Sequence, residues 1–239
     1  MTAMNLPIKV GTASRVLTET LKLSKDGNRV ELEDIALNAK TTESFAKQVL
    51  TSVIGDVNTR ISLKPGLRIQ LALEIARAGL LKEAAQVLTW QEFENFVGRC
   101  LEEAAFRTQK SVRIKGDGRV WQIDVVGFRG ELVLAIDCKQ WNTPSSLSRF
   151  KPVANHQRTA TLHLLSRLRE KILRRDNEPH ALPMILTLSE PPAQFVEGAV
   201  LLSVEKLPNF LSGVTPYDEN LPFIPSPASV VENPMSQSN

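Results

Sequence analysis

The chain has 239 residues, of which 42% are hydrophobic and 23% charged, with two cysteines and a formal net charge of +3. This composition suits a globular protein of one or two domains and excludes collagen-like chains, disulfide frameworks, four-cysteine zinc sites and membrane-spanning helices. Because the N-terminal residues also lack the pattern of a secretory signal, we expect a soluble cytoplasmic protein.

The charge is unevenly distributed along the chain. Residues 1–89 carry 12 Lys or Arg and 9 Asp or Glu, residues 90–175 carry 16 and 9, and residues 176–239 carry 1 and 8. A basic middle segment is typical of polyanion-binding proteins, although a solvated surface of mixed charge produces the same pattern.

The first third of the chain has the outline of a small helical domain. Apolar spacing and turn residues predict helices at 12–24, 31–38, 43–54 and 67–78, with a strand at 59–63. A winged helix-turn-helix domain over residues 1–88 fits this order, and its third helix would present Lys47 and Gln48 to DNA. A helical domain with a polar outer face fits the same pattern.

A second domain is predicted over residues 89–213. Thr89 and Glu92 match a capping box, so a helix begins at Trp90 and continues to about Phe106. The elements predicted after it are strands at 109–115, 119–127 and 131–139, a basic helix at 153–175, strands at 184–189 and 199–204, and a helix at 206–211. The order α-β-β-β-α-β-β-α predicts an α/β fold with a mixed sheet flanked by helices.

Two of these strands carry a carboxylate in otherwise apolar sequence: Asp124 in V-W-Q-I-D-V-V and Asp137 in L-V-L-A-I-D-C-K. Burial of a carboxylate is costly unless it is paired, so both acids require an explanation. Strand alternation places Asp137 and Lys139 on one face, and a hairpin turn over Gly127–Gly130 would bring Asp124 close to Asp137.

Two carboxylates and an ammonium group at a strand end form a hard-oxygen site suited to Mg²⁺. The backbone carbonyl of Cys138 offers a further ligand, while its thiol should point to the opposite face. Glu94 shares a helical stripe with Val97 and Leu101, so it should point toward the sheet as a third acid. Glu92 is already engaged by the capping box.

The stretches W-Q-E-F-E-N-F-V-G-R-C-L (90–101), W-Q-I-D-V-V-G (121–127) and I-D-C-K-Q-W (136–141) are similar to motifs of the PD-(D/E)XK nuclease superfamily. They most resemble its Mrr-type restriction endonucleases and its archaeal Holliday-junction-resolvase-like members. The resemblance spans about Thr89 to Leu211 and implies a restriction-endonuclease-like core. It also implies a metal-dependent DNA endonuclease of the restriction, repair or recombination type.

The resemblance implies roles for individual residues. Asp124 and Asp137 would bind Mg²⁺, with Mn²⁺ as a substitute, and Glu94 would bind it directly or through water. Lys139 would position or activate the attacking water, and Gln157 matches a glutamine that many Mrr-like members place beside the site. Asp137 stands where many relatives have glutamate, and its shorter side chain reaches less far.

The same residues have other interpretations. Asp124 and Lys139 would also suit a structural ion pair, and the histidines His156 and His163 are most simply packing side chains. Basic residues of the long helix, Arg158 among them, would track a phosphate backbone or form a solvated face. The alternative function is a non-catalytic DNA-binding or regulatory protein that keeps a nuclease-like scaffold.

Residues 214–239 are rich in Pro, Ser and Asn and are predicted to form a disordered acidic tail. Recruitment of a protein partner by this tail is a hypothesis.

Cleavage of both DNA strands by a domain with one site would usually imply a homodimer.

Overall fold

The computed structural model describes residues 10–27, 29–141, 145–172 and 178–225. Its helices are α1 (Val10–Leu23), α2 (Leu32–Asn38), α3 (Glu43–Ile54), α4 (Pro65–Arg77), α5 (Leu81–Gln86), α6 (Trp90–Glu103), α7 (Leu147–Ile172) and α8 (Leu207–Gly213). Its strands are β1 (Val30–Glu31), β2 (Arg60–Ile61), β3 (Arg107–Gly116), β4 (Arg119–Arg129), β5 (Leu132–Lys139), β6 (His180–Thr187), β7 (Phe195–Val196) and β8 (Ala199–Ser203). Among these helices, none is both long and apolar enough to cross a membrane.

Within the described ranges, six strands form a mixed sheet in the order β3-β4-β5-β6-β8-β7. Strands β3, β4 and β5 are antiparallel neighbours, whereas β6 runs parallel to β5 and β8 runs parallel to β6. Parallel neighbours need a crossover connection, and α7 provides it between β5 and β6. The predicted α/β class with a mixed sheet flanked by helices is confirmed, and α5 and β7 are additions to the predicted order.

Helices α6 and α7 cover opposite faces of this sheet. On one face, Phe93 of α6 packs in the same core as Ile136 of β5. On the other face, Leu165 of α7 packs with Ala135 of β5. Strand β5 is therefore buried on both sides, which explains its nearly continuous apolar sequence.

The N-terminal helices share a hydrophobic core with the α6 face of the sheet. Arg68 of α4 is only 3% exposed, and its guanidinium connects three elements. It donates to Glu92 at 2.5 Å, to the carbonyl of Leu21 in α1 at 2.8 Å and to the Ser24 hydroxyl at 2.7 Å. One hydrophobic core includes residues on both sides of residue 88. The boundary predicted there between the two domains therefore stays a prediction.

The turn between β4 and β5 differs from the predicted one. Strand β4 continues to Arg129, so the turn consists of Gly130 and Glu131 and not of Gly127–Gly130. Gly130 has a φ of +59°, a left-handed conformation that glycine adopts without steric cost.

Helix α7 begins at Leu147, six residues before the predicted start, and contains Pro152. A proline inside a helix cannot donate the usual backbone hydrogen bond, which is why the sequence favours a later start. Phe150 is buried and its ring lies 5.0 Å from that of Trp141, so tertiary packing stabilises the first turns of the helix.

Residues 214–225 do not form the predicted disordered tail. Ile224 is buried, and its amide donates to the Ala181 carbonyl of β6 at 2.9 Å. The Tyr217 hydroxyl donates to Glu131 Oε2 at 2.7 Å. A few apolar side chains between the prolines are enough to bind this segment to the sheet. Residues 226–239 of the predicted tail lie outside the described residues.

Candidate active site

Strand β5 carries an acid and an amine side by side at its carboxyl end. Lys139 Nζ donates to Asp137 Oδ1 at 2.9 Å and lies 2.8 Å from Oδ2, although without hydrogen-bond geometry to that oxygen. The prediction that the two side chains share a face is confirmed. Lys139 is paired with Asp137, so the alternative ion pair between Asp124 and Lys139 does not form.

The two strands that carry the aspartates separate at the site. Pairing of β4 with β5 ends at Val125 and Ile136, and continuing the register would set Asp124 opposite Asp137. In place of the next backbone bond, the amide of Cys138 donates to Asp124 Oδ2 at 2.9 Å. The Asp124 side chain thus holds the ends of the strands where the ladder opens.

Strand β4 is irregular at Asp124. Ile123 packs in the core under α7, whereas Val125, two residues later, packs in the core under α6. Residues two apart on a regular strand share a face, so the chain turns between them. Ser111 of β3 supplies a matching irregularity, with a φ of +50°. No feature of the sequence predicts this turn.

Glu94 approaches the strand ends from α6. The predicted capping box fixes the start of this helix. The Thr89 hydroxyl accepts a hydrogen bond from the Glu92 amide, and the Glu92 carboxylate accepts one from the Thr89 amide. The helix face that carries Phe93 and Val97 into the core buries Glu94 as well, leaving it 5% exposed. Its Oε1 has no hydrogen-bond partner in the described part of the chain.

The three carboxylates share an electrostatic environment. Burial, and then the charges of Asp124 and Asp137, raise the pKa of Glu94 from 4.5 to about 7, while Lys139 opposes this increase. Burial also raises the pKa of Asp124, against the hydrogen bond from the Cys138 amide and with the charge of Asp137. The four predicted residues are therefore close enough to influence one another.

The three acids are not arranged as a set of three metal ligands. Among the described residues, no group of three or more His, Cys, Asp or Glu side chains has the geometry to hold a metal ion. Glu94 comes from the α6 face, whereas Asp137 lies on the α7 face with Ala135, and this separation explains the result. As predicted, the Cys138 thiol packs in the core on the opposite face from Asp137.

Helix α7 brings two more polar side chains to this region. Gln157 is fully buried, its Nε2 donates to the Ala135 carbonyl of β5 at 2.7 Å, and its Oε1 has no described partner. The His156 ring lies 5.0 Å from that of Trp121, as a packing histidine should. Burial lowers the pKa of His156 while the charge of Asp137 raises it, so this ring belongs to the surroundings of the site.

The residues predicted to contact nucleic acid are exposed. Lys47 and Gln48 are exposed on α3, which packs against α1, α2 and α4. Arg158 is exposed on α7 and lies against Gly198 in the turn between β7 and β8. Arg174 and Arg175, the last residues of the predicted basic helix, lie outside the described residues.

A separate apolar cavity of about 400 Å³ opens between the N-terminal helices and α8. Leu73, Cys100 and Leu207 contribute to its walls, and none of the candidate site residues lines it. It has no part in the chemistry considered for the acids.

No family model and no curated protein matches the chain. Among solved structures, it is similar to a crystal structure of a protein of unknown function, AF1548, with 26% identity, coverage of 46% of this chain and 55% of that chain, and a TM-score of 0.32. It is also similar to protein VC1899 from Vibrio cholerae, with 12% identity, coverage of 85% of this chain and 50% of that chain, and a TM-score of 0.39. The chain thus spans about half the length of these two proteins. Neither similarity assigns it a family or a function.

Proposed function

We propose that the protein is a metal-dependent DNA endonuclease whose active site consists of Glu94, Asp124, Asp137 and Lys139. The observation that carries the proposal is a group of buried carboxylates at the strand ends. Glu94 Oε1 has no hydrogen-bond partner in the described part of the molecule, and Asp137 Oδ2 has only the Lys139 ammonium beside it, at 2.8 Å and without hydrogen-bond geometry. Buried carboxylates that repel one another are costly, and a hydrated cation beside them would remove that cost.

The donor set suits Mg²⁺, with Mn²⁺ as a substitute. Mg²⁺ is usually held by one or two protein carboxylates, because water and substrate phosphates complete its ligands. Asp124 and Asp137, which face each other across the open ends of β4 and β5, would hold it. The Cys138 carbonyl is a further oxygen donor, and Glu94 would bind the ion through water. When bound, the cation would polarise the scissile phosphate and lower the pKa of a ligating water.

The protein's own side chains then have separate tasks. Lys139 is held against Asp137, where its ammonium group can position the attacking water and offset the charge that develops on the phosphate. Asp124 accepts the Cys138 amide and so fixes the ends of β4 and β5 relative to each other. Gln157 fixes α7 to β5 and has one oxygen left to accept a hydrogen bond from water.

The finer fold assignment belongs to the same proposal. The order α6-β3-β4-β5-α7-β6-β7-β8-α8, which adds only the short β7 to the expected elements, supports a restriction-endonuclease-like core. The order α1-β1-α2-α3-β2 supports a winged helix, although β1 and β2 have only two residues each. Exposed Lys47 and Gln48 on α3, and Arg158 on α7, would contact DNA.

The test is cleavage of labelled DNA with and without Mg²⁺. Asp137→Ala and Lys139→Ala should each lower the rate by about 10²-fold or more, since each removes a group that acts on the charge of the transition state. Glu102→Ala is the matched control, because Glu102 is an exposed acid on α6. Duplex, flap, fork, four-way junction and methylated duplex substrates identify the preferred DNA. Equal rates for the wild type, Asp137→Ala and Lys139→Ala would remove Asp137 and Lys139 from the mechanism.

The alternative is a non-catalytic DNA-binding or regulatory protein. The observation that favours it is that no described group of three ligating side chains is arranged for a metal. This alternative predicts salt-sensitive DNA binding with no nicking of any substrate in the panel on addition of Mg²⁺ or Mn²⁺.

A further inference from the structure

A groove runs between the edge strand β3 and helix α7. It comprises two neighbouring cavities of about 710 and 700 Å³, which share Ile114 of β3 and Arg167 of α7 in their walls. The groove lies on the same face of the sheet as Asp137, because Ile114 packs in the core under α7 with Ala135.

The groove is lined by cations. Five basic residues contribute to its walls, and Glu170 is the acid that accompanies them; the five are Arg107, Lys110, Arg113 and Lys115 of β3 and Arg167 of α7. All five are exposed and none forms an ion pair in the described part of the chain, although Lys110 donates a hydrogen bond to Asn95. Five positive charges around one groove attract an anion with several charges in a row.

One of the two cavities also has apolar side chains in its walls. They are Val112, Ile114, Phe128, Leu164 and Leu168. The Arg107 guanidinium lies 5.1 Å from the centre of the Phe128 ring, so it is held over an aromatic face. A ligand for this groove therefore combines a row of negative charges with flat or apolar groups between them.

Aromatic contacts connect the groove to the candidate active site. His163 lines one cavity, and its ring lies 5.5 Å from that of Trp121. Trp121 in turn contacts His156, whose pKa responds to the charges of Asp137 and Lys139. The Arg119 guanidinium, 3.5 Å from the centre of the Trp121 ring, adds another cation on this path.

We propose that the β3–α7 groove is a second nucleic-acid site, which binds the sugar-phosphate backbone of a polynucleotide strand on one side of the scissile bond. The cations would bind successive phosphates, and the apolar residues would face sugars and bases. This proposal rests on the proposed nuclease function for the position of the scissile bond, although binding in the groove requires neither metal nor catalysis.

The test is binding of a labelled single strand and its duplex, measured by fluorescence anisotropy with a chelator at about 50 to 200 mM salt. Arg113→Ala with Arg167→Ala removes one cation from each wall of the groove. For two lost phosphate contacts, the slope of log K against log salt should fall by about 1.4 on a single strand or about 1.8 on a duplex. The probe whose slope falls by the amount expected for it, single strand or duplex, identifies the form of nucleic acid that the groove binds.

Three further variants make the result specific. Arg15→Ala with Arg99→Ala removes two exposed arginines from other helices and should leave the slope unchanged. Arg113→Lys with Arg167→Lys keeps the charge and should keep the slope. Asp137→Ala should keep full binding while losing cleavage, so failure of the nuclease proposal and failure of the groove proposal are distinguishable.

An unchanged slope on both probes in a folded Arg113→Ala/Arg167→Ala protein would overturn the groove proposal. An equal fall in the Arg15→Ala/Arg99→Ala control would do the same, because the effect would then be general charge. Displacement of the probe by polyglutamate as effectively as by unlabelled oligonucleotide would assign the groove to acidic peptides instead.

Discussion

Among the residues of the candidate site, Glu94 has a charge that changes near neutral pH. Its pKa is about 7 in the folded protein against an ordinary value of 4.5, first because of burial and then because of the two aspartates. At a pH between these two values, Glu94 is protonated in the folded protein but ionised in the unfolded chain. The metal-free fold therefore loses stability as the pH rises from about 4.5 to about 7.

Glu94→Gln should remove this loss, because a neutral amide does not titrate. Urea unfolding with a chelator at pH about 5 and about 8 should show that the variant gains relative to the wild type by up to about 3 kcal/mol at the higher pH. Glu102→Gln, at an exposed position on the same helix, should follow the wild type at both values. An identical pH dependence for wild type and Glu94→Gln would mean that Glu94 is ionised throughout.

A second residue-scale prediction concerns Gly116, at the end of β3. A Cβ atom there would lie 2.4 Å from His163 Nδ1, so any side chain displaces the imidazole. Gly116→Ala should therefore break the contact of 2.9 Å between His163 Nε2 and Asp117 Oδ2 and destabilise the protein by about 1–3 kcal/mol.

Gly11→Ala is the matched control for that substitution. Gly11 lies in helix α1 with open space around its Cβ position, so alanine should stabilise the fold by up to about 1 kcal/mol. Thermal unfolding of the two variants should move the midpoint in opposite directions. Similar midpoints would show that His163 moves without cost.

At the scale of elements, sequence predicts those whose signals are local. Helix α3 spans the residues that apolar spacing indicates, and α6 begins at the predicted capping box. Strand alternation likewise places Asp137 beside Lys139. Each of these features depends on neighbours within a few residues, and such neighbours are visible in the sequence.

The sequence does not predict the elements whose position depends on distant contacts. The start of α7 depends on the contact of Phe150 with Trp141, and the position of residues 214–225 depends on pairing of Ile224 with Ala181. The site shows the same limit. Sequence selects Glu94 as an inward acid, but it does not reveal that Cys138 binds Asp124 or that His156 packs on Trp121.

On the scale of the whole molecule, the ion pair between Arg68 and Glu92 joins the N-terminal helices to the rest of the core. Burial tends to raise the pKa of Glu92, but the hydrogen bonds from Arg68 and from the Thr89 amide outweigh it. The pKa is therefore below its ordinary value, and the carboxylate stays ionised. Removal of one member of a buried pair leaves an uncompensated charge inside the protein.

Arg68→Ala should accordingly lower the free energy of unfolding by about 3–5 kcal/mol. Arg60→Ala breaks a pair with Glu31 that is largely exposed, and it should cost less than about 1 kcal/mol. Urea denaturation of both variants, followed by circular dichroism, gives the comparison. Equal and small losses would indicate that the N-terminal helices are held by apolar packing alone.

The cations of β3 also have a structural consequence, because β3 is the outermost strand of the sheet in the described part of the chain. A ten-residue strand with a free edge invites another chain to add to it, which is a common route to aggregation. Like charges at Arg107, Lys110, Arg113 and Lys115 oppose such addition between copies, and the irregular backbone at Ser111 interrupts a flat edge. The same arginines thus oppose pairing of this edge between copies, and a variant with neutral residues in their place would have to protect the edge in another way.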